Sequence, residues 1–170
     1  MNSILQPVDL ELKIQSFDIT TGEMVDEFVE EVKVMGNGAQ KAMSFSLSLR
    51  APKIDPENIV VSAVFREVGN TLGKSGDSDV VLRPAGDWPQ PLKYLDFKDR
   101  GIKFEINGEE VSLSARLPTK SVVLDVEGDD DEGLEWSDNG FDVMPGESVT
   151  VIAKGLRGRK VIVSWYGDSQ

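Results

Sequence analysis

Apolar and polar residues alternate with a period of two along most of this chain, and that alternation predicts strands. From Val8 the residues Val8, Leu10, Leu12 and Ile14 alternate with Asp9, Glu11, Lys13 and Gln15, the pattern of a strand with one buried face. The apolar phase then slips to Phe17 and Ile19, which predicts a bulge or bend near Ser16, because one extra residue exchanges the two faces. Thr20-Thr21-Gly22-Glu23 predicts a hairpin turn, and Val25 to Val34 returns as a second strand with acidic residues outward. Past the breaker Gly36-Asn37-Gly38, Met43, Phe45, Leu47 and Leu49 alternate with Ser44, Ser46 and Ser48. Ile59, Val61, Ala63 and Phe65 then form the apolar face of a further strand, with Val60 and Val64 thickening the other face. Gly69 to Ser78 reads as a loop, Asp79-Val80-Val81-Leu82 as a short closing strand, and Pro84, Gly86, Pro89 and Pro91 as a stiff connector.

The second half follows the same style. Ile102, Phe104 and Ile106 lead to Asn107-Gly108, a strong hairpin signal, and Val111, Leu113, Ala115 and Leu117 form the partner strand. Val122, Leu124 and Val126 make the next strand, Gly128 to Gly133 an acidic loop, and Val149, Val151 and Ala153 another strand. A basic turn, Gly155-Leu156-Arg157-Gly158-Arg159-Lys160, precedes a last strand with Val161, Val163 and Trp165. No stretch has the i, i+3, i+4 apolar spacing of a long helix. The expected architecture is all-β, two tandem antiparallel immunoglobulin-like β-sandwiches over residues 1–86 and 87–170, the second without the disulfide of true immunoglobulin domains.

One stretch organises the second half. In Leu134-Glu135-Trp136-Ser137-Asp138-Asn139-Gly140-Phe141-Asp142-Val143-Met144-Pro145-Gly146-Glu147, two aromatics flank a Ser-Asp-Asn-Gly run. The short polar side chains of such a run bond their own backbone and its glycine tolerates positive φ, so it reads as strand, tight corner, strand and turn. Trp-Ser-Asp-Asn-x-Phe-Asp followed by Pro-Gly-Glu, with Val123-Leu124-Asp125-Val126-Glu127-Gly128 upstream, resembles the C-terminal immunoglobulin-like module of β-mannosidases in glycoside hydrolase family 2. Asp87-Trp88-Pro89-Gln90-Pro91-Leu92-Lys93-Tyr94-Leu95 looks like the segment that joins this module to the preceding β-sandwich in fungal members. The matching blocks run from about Trp88 to the C-terminus, with weaker similarity before that. Gly140 is a departure, since the family often carries an aromatic residue there. The resemblance implies a parent enzyme that removes terminal non-reducing β-D-mannose with retention, from catalytic glutamates on a (β/α)8 barrel. It therefore assigns this chain to the accessory modules that brace that barrel, with the catalytic and other domains of the parent as partners.

Composition narrows the chemistry. The 30 acidic and 18 basic residues among 170 give a net charge of -12, which repels phosphate backbones and anionic lipid, so neither nucleic acid nor a membrane surface is an expected partner. Cysteine and histidine are both absent. That removes disulfides, thiolate chemistry, the usual zinc ligands and every Ser-His or Cys-His arrangement. No run approaches the roughly 20 apolar residues of a membrane helix. Met1 to Pro7 shows no signal peptide, although the start of a fragment says nothing about secretion, and the compartment stays open.

A retaining glycosidase needs two carboxyl groups roughly 5 to 5.5 Å apart in contrasting environments. The carboxylates here fall at solvent-facing strand positions or in loops, and the barrel of the resembling family takes about 250 residues including helices, so no catalytic residue is expected in this chain. Asp129-Asp130-Asp131-Glu132 lacks the spacing of a calcium loop and reads as a solvated acidic loop, so no metal or cofactor is expected. The basic turn lies between strands rather than at a helix N-terminus and reads as a hairpin tip that could meet an acidic neighbouring domain. Sugar binding on a sandwich uses exposed aromatics as stacking platforms. Trp88, Tyr94, Trp136, Trp165 and Tyr166 are the candidates, most of them in apolar phase with strands, and Trp88, Trp136 and Tyr166 are the expected ligand contacts if any stays exposed. The competing readings are a free-standing module binding a mannose-containing saccharide and a protein-interaction module.

Overall fold

The computed structural model describes residues 7–35, 55–67, 80–89, 91–128 and 133–168. The strand expected at Met43–Leu49, the loop at Gly69–Ser78 and the acidic run Asp129–Glu132 lie outside them. Two compact units emerge: residues 1–18 with 24–90, and residues 19–23 with 91–170. Among the described residues there is no α-helix, only strands and two short 3-10 turns, Pro56–Asn58 and Leu92–Tyr94.

In the first unit, β1 (Val8–Asp18), β2 (Met24–Val34), β3 (Ile59–Glu67) and β4 (Val80–Asp87) form an antiparallel sheet in the order β2-β1-β3-β4. The alternation of β1 is realised as read: Leu12 and Ile14 pack with Val32, and Val34, Val61, Ala63 and Phe65 lie against them. The irregularity at Ser16 is also present, but the extra residue belongs to β2. Ser16 faces Asp26 and Phe17 faces Met24, so Val25 is the bulged residue, while the pairing of β1 with β3 runs through without a shift. Around this point β1 buries consecutive residues, Ile14 to Phe17, because both faces of the sheet are covered there. For the same reason β3 is most deeply buried at Val60, Ser62 and Val64, the face read as the secondary one, whereas Val61, Ala63 and Phe65 are half-buried.

Pro84 and Gly86, read as connector, belong to β4. The register explains how a proline fits: Ala63 faces Ala85 and Phe65 faces Leu82, so β4 carries one residue more than β3 around Pro84. A bulge at the end of the described strand order is where a residue without an N–H is tolerated.

Among the described residues the second unit has seven strands in two sheets: β5 (Lys103–Asn107), β6 (Glu110–Ser114), β10 (Ser148–Lys154) and β8 (Glu135–Trp136) in that order, and β11 (Val161–Ser164), β7 (Thr119–Val126) and β9 (Phe141–Val143) in that order. Val111, Leu113, Val149, Val151 and Ala153 of the first sheet meet Val122, Leu124, Val126, Phe141, Val143 and Val161 of the second. Two sheets closing such a core form a β-sandwich, here of the immunoglobulin-like kind. Leu156, inside the basic turn, is also buried and anchors that turn to the core.

The β5–β6 hairpin turns one residue later than Asn-Gly suggests. Asn107 pairs with Glu110, so Gly108-Glu109 form the loop. Gly108 alone has positive φ, +63°, which is the type II′ arrangement with glycine first. This register sets Ile106 against Val111 and Phe104 against Leu113, two apolar pairs, where an Asn-Gly loop would have set Ile106 against Glu109. β5 is nevertheless exposed throughout, as the end strand of the four-stranded sheet facing a three-stranded one.

Candidate functional site

The aromatic corner carries the chain from one sheet of the sandwich to the other. β8 lies beside β10, with Trp136 opposite Ala153, and β9 lies beside β7, with Phe141 opposite Val122. Four residues, Ser137 to Gly140, therefore cross the sandwich, and each polar side chain among them has a backbone task. The Ser137 hydroxyl accepts the Ile152 N–H at 2.9 Å, and the Ser137 N–H donates to the Ile152 carbonyl at 2.8 Å. The Asn139 carboxamide clamps β7: its Oδ1 accepts the Leu124 N–H at 2.8 Å and its Nδ2 donates to the Leu124 carbonyl at 2.9 Å. The side chain thus does for Leu124 what a neighbouring strand's backbone would do. Gly140 N–H donates to the Val122 carbonyl at 3.0 Å.

Asp138 accepts the Asn139 N–H, and Asp142 Oδ1 accepts the Ser121 N–H at 2.9 Å. The second contact stabilises a bulge. Between the pairs Thr119–Val143 and Val122–Phe141, β7 carries one extra residue, and Ser121 takes φ of +51° there. At Gly140, where the resembling family often has an aromatic, φ is +74° and a Cβ would meet nothing within 4 Å. Glycine is favoured at this position by the left-handed backbone, and a side chain would point into open space.

Of the expected ligand contacts, Trp88 is buried, at 5% exposure. Trp136 is half-buried and packs on the core of the second unit. Tyr166 is also half-buried; its ring stands edge-on to Phe97 with centroids 5.2 Å apart, and its N–H donates to the Lys120 carbonyl. Trp88 belongs to the first unit, while Trp136 lies in β8 and Tyr166 follows β11 in the second. Trp165 packs on the same core and its indole N–H donates to the Phe97 carbonyl at 2.8 Å. Tyr94, in contrast, is 76% exposed, with the Lys93 ammonium 4.9 Å from its ring centroid.

The sequence reading missed Phe97 and Arg100. Phe97 is buried against Tyr166, with Gly167 so close that a Cβ there would sit 2.8 Å from Phe97 Cβ. Arg100 is 3% exposed and lies 5.6 Å from the Phe97 ring centroid. Its guanidinium donates to the carbonyls of Ile19 at 3.0 Å, Asp96 at 2.7 Å and Lys98 at 3.2 Å. Burial pulls its pKa below the usual arginine value, an effect the nearby Asp96 opposes. The run Asp96-Phe97-Lys98-Asp99-Arg100 has no apolar period, so nothing in the pattern marked either residue.

Among the described residues, no three carboxylates gather as a metal site. In the basic turn and the strand before it, Lys160 and Lys154 pair with Glu127 and Glu135 of the same unit, each at 3.2 Å and well exposed. Such pairs contribute roughly 0–1 kcal/mol.

Comparison with known proteins agrees with this geometry. Residues 1–94 match the family profile described as the mannosidase Ig/CBM-like domain, and residues 97–160 match a profile described as an Ig-fold domain. Beta-mannosidase B of Aspergillus niger is 29% identical over 164 residues, 92% of this chain and 18% of that protein. Beta-mannosidase B of Emericella nidulans is 27% identical over 92% of this chain and 17% of its own length. The chain thus spans less than a fifth of these relatives. Among solved structures, the exo-chitosanase CsxA of Amycolatopsis orientalis superposes with a TM-score of 0.61 at 15% identity, covering 98% of this chain and 24% of that one, a likeness of fold.

Proposed function

For this chain, which belongs to the mannosidase Ig/CBM-like domain family, we propose a non-catalytic role as accessory modules of a β-mannosidase, bracing a catalytic barrel that lies outside the sequence. The observation that carries the reading is the fate of the corner motif. Its polar side chains are spent on backbone bonds that join two sheets, and its aromatics on the core, so the most distinctive residues of the chain serve scaffold rather than substrate. The small share of the relatives that this chain covers supports the same reading. The parent would hydrolyse terminal non-reducing β-D-mannose, and its barrel and remaining domains would be the partners of these modules.

An aryl β-mannoside assay on the purified chain tests this, and turnover that survives repurification would overturn it. Tyr94 gives the alternative a foothold, since a largely exposed aromatic beside a lysine is the raw material of a sugar-stacking contact. Titration calorimetry with mannobiose and soluble mannan separates the two readings. Binding that is lost in Tyr94→Ala would favour a carbohydrate-binding module, and no heat would leave the accessory role standing.

A further inference from the structure

The sequence contains Asn-Gly three times, and the structure places two of them in opposite situations. An asparagine followed by glycine is prone to lose ammonia. The glycine amide nitrogen, once deprotonated, attacks the asparagine side-chain carbonyl carbon, and an unbranched glycine offers that attack the least obstruction. At Asn139-Gly140 every participant is held. The carboxamide is bonded on both sides to Leu124, and the Gly140 N–H is shared between the Val122 carbonyl and Asn139 Oδ1. At Asn107-Gly108 none is held. Asn107 is exposed, among the described residues its carboxamide has no hydrogen-bond partner and the Gly108 N–H in the two-residue loop has no acceptor, and the space around the Gly108 α-carbon is open. The hairpin containing it is built on the exposed end strand β5, where local opening is cheap.

We propose that Asn107 is a site of spontaneous deamidation in the folded protein, and that Asn139 is protected from the same reaction by the corner. The Gly108 nitrogen gives up its proton to solvent base and forms a bond to Asn107 Cγ, and the Cγ–Nδ2 bond breaks as ammonia leaves. Water then opens the resulting five-membered imide at either carbonyl, giving aspartate or isoaspartate at position 107. Each event adds one negative charge to the -12 of the chain, next to Glu109 and Glu110. The isoaspartate form also inserts a methylene into the main chain and breaks the pairing of Asn107 with Glu110.

Peptide mapping by mass spectrometry after incubation of the whole chain in mildly alkaline buffer tests the proposal. Isoaspartate is counted in parallel by enzymatic methyl transfer from S-adenosylmethionine. Deamidation at Asn107 is expected to run at least about tenfold faster than at Asn139, because the protected site must first lose several hydrogen bonds. In strong urea the ratio is expected to fall toward one, since the local sequences then react alike. Asn107→Gln is expected to abolish the signal in its own peptide and leave the Asn139 rate unchanged. Asn37-Gly38 is read from a separate peptide and does not enter the comparison. Equal rates at Asn107 and Asn139 in the folded chain would overturn the proposal, as would faster loss at Asn139.

Discussion

Replacing Asn139 with alanine isolates the clamp that fixes the corner to β7. The substitution removes the bonds to Leu124 N–H at 2.8 Å and to the Leu124 carbonyl at 2.9 Å, while Gly140 N–H keeps its bond to Val122. Two lost bonds at about 1 kcal/mol each, plus some penalty for leaving partly buried backbone groups unpaired, sum to about 2–4 kcal/mol. Ser137→Ala removes one exposed side-chain bond, to Ile152 N–H, and should cost about 0.5–1 kcal/mol. Asn139→Asp keeps the acceptor for Leu124 N–H but sets an oxygen against the Leu124 carbonyl. At neutral pH it should therefore do no better than alanine. Urea unfolding followed by tryptophan fluorescence is the assay, since Trp136 and Trp165 pack on the core that the clamp closes. With a slope of about 1 kcal/mol/M for a small domain, the Asn139→Ala midpoint should fall by about 2–4 M at unchanged slope. A midpoint shift no larger than that of Ser137→Ala, or full tolerance of Asn139→Asp, would refute the two-sided clamp.

Three further outcomes follow from the same geometry. Gly155 and Gly140 share a left-handed φ, but a Cβ at Gly155 would run into the Gly133 carbonyl oxygen whereas one at Gly140 meets open space. Gly140→Ala should thus cost about 1–2 kcal/mol, and Gly155→Ala clearly more, when their melting temperatures are compared by calorimetry. Arg100→Met leaves the carbonyls of Ile19, Asp96 and Lys98 without their donor and should destabilise the second unit by about 2–4 kcal/mol. Arg100→Lys should not rescue it, because one ammonium cannot reproduce the planar fork, and chemical denaturation of both variants checks this. Trp165→Phe keeps the packing but loses the bond to Phe97, so its midpoint should drop by the equivalent of about 1 kcal/mol.

The period of two was enough to place most strands, because a strand with one face in the core must alternate and each slip in phase must be absorbed somewhere. It located an irregularity near Ser16, but the extra residue lies in β2, and the slip of the β1 apolar phase reflects burial on both faces, since β1 runs past β3 without a shift. It misjudged β3 and the extent of β4 for a related reason. A strand covered on both sides no longer announces its main face, and Pro84 reads as a stop unless the bulge that admits it is known. The corner was legible from its turn chemistry, as was its structural character. Its specific bonds were not, because Leu124 lies 15 residues from Asn139 and only the closed sandwich brings them together. Arg100 and Phe97 left no trace in the pattern, since their roles depend on carbonyls and rings supplied by distant segments. Trp88, Trp136 and Tyr166 could be named as aromatics of interest, but their burial is a property of the fold.

The accessory role is tested most directly in the context of a longer enzyme. Three forms of the β-mannosidase B of Aspergillus niger would be compared: intact, lacking the region that this chain matches, and with that region replaced by this chain. Hydrolysis of an aryl β-mannoside and the melting temperature of each form are the readouts. Bracing predicts that the shortened form loses stability and activity together and that the replaced form regains a substantial part of both. A shortened enzyme as stable and active as the intact one would contradict the account.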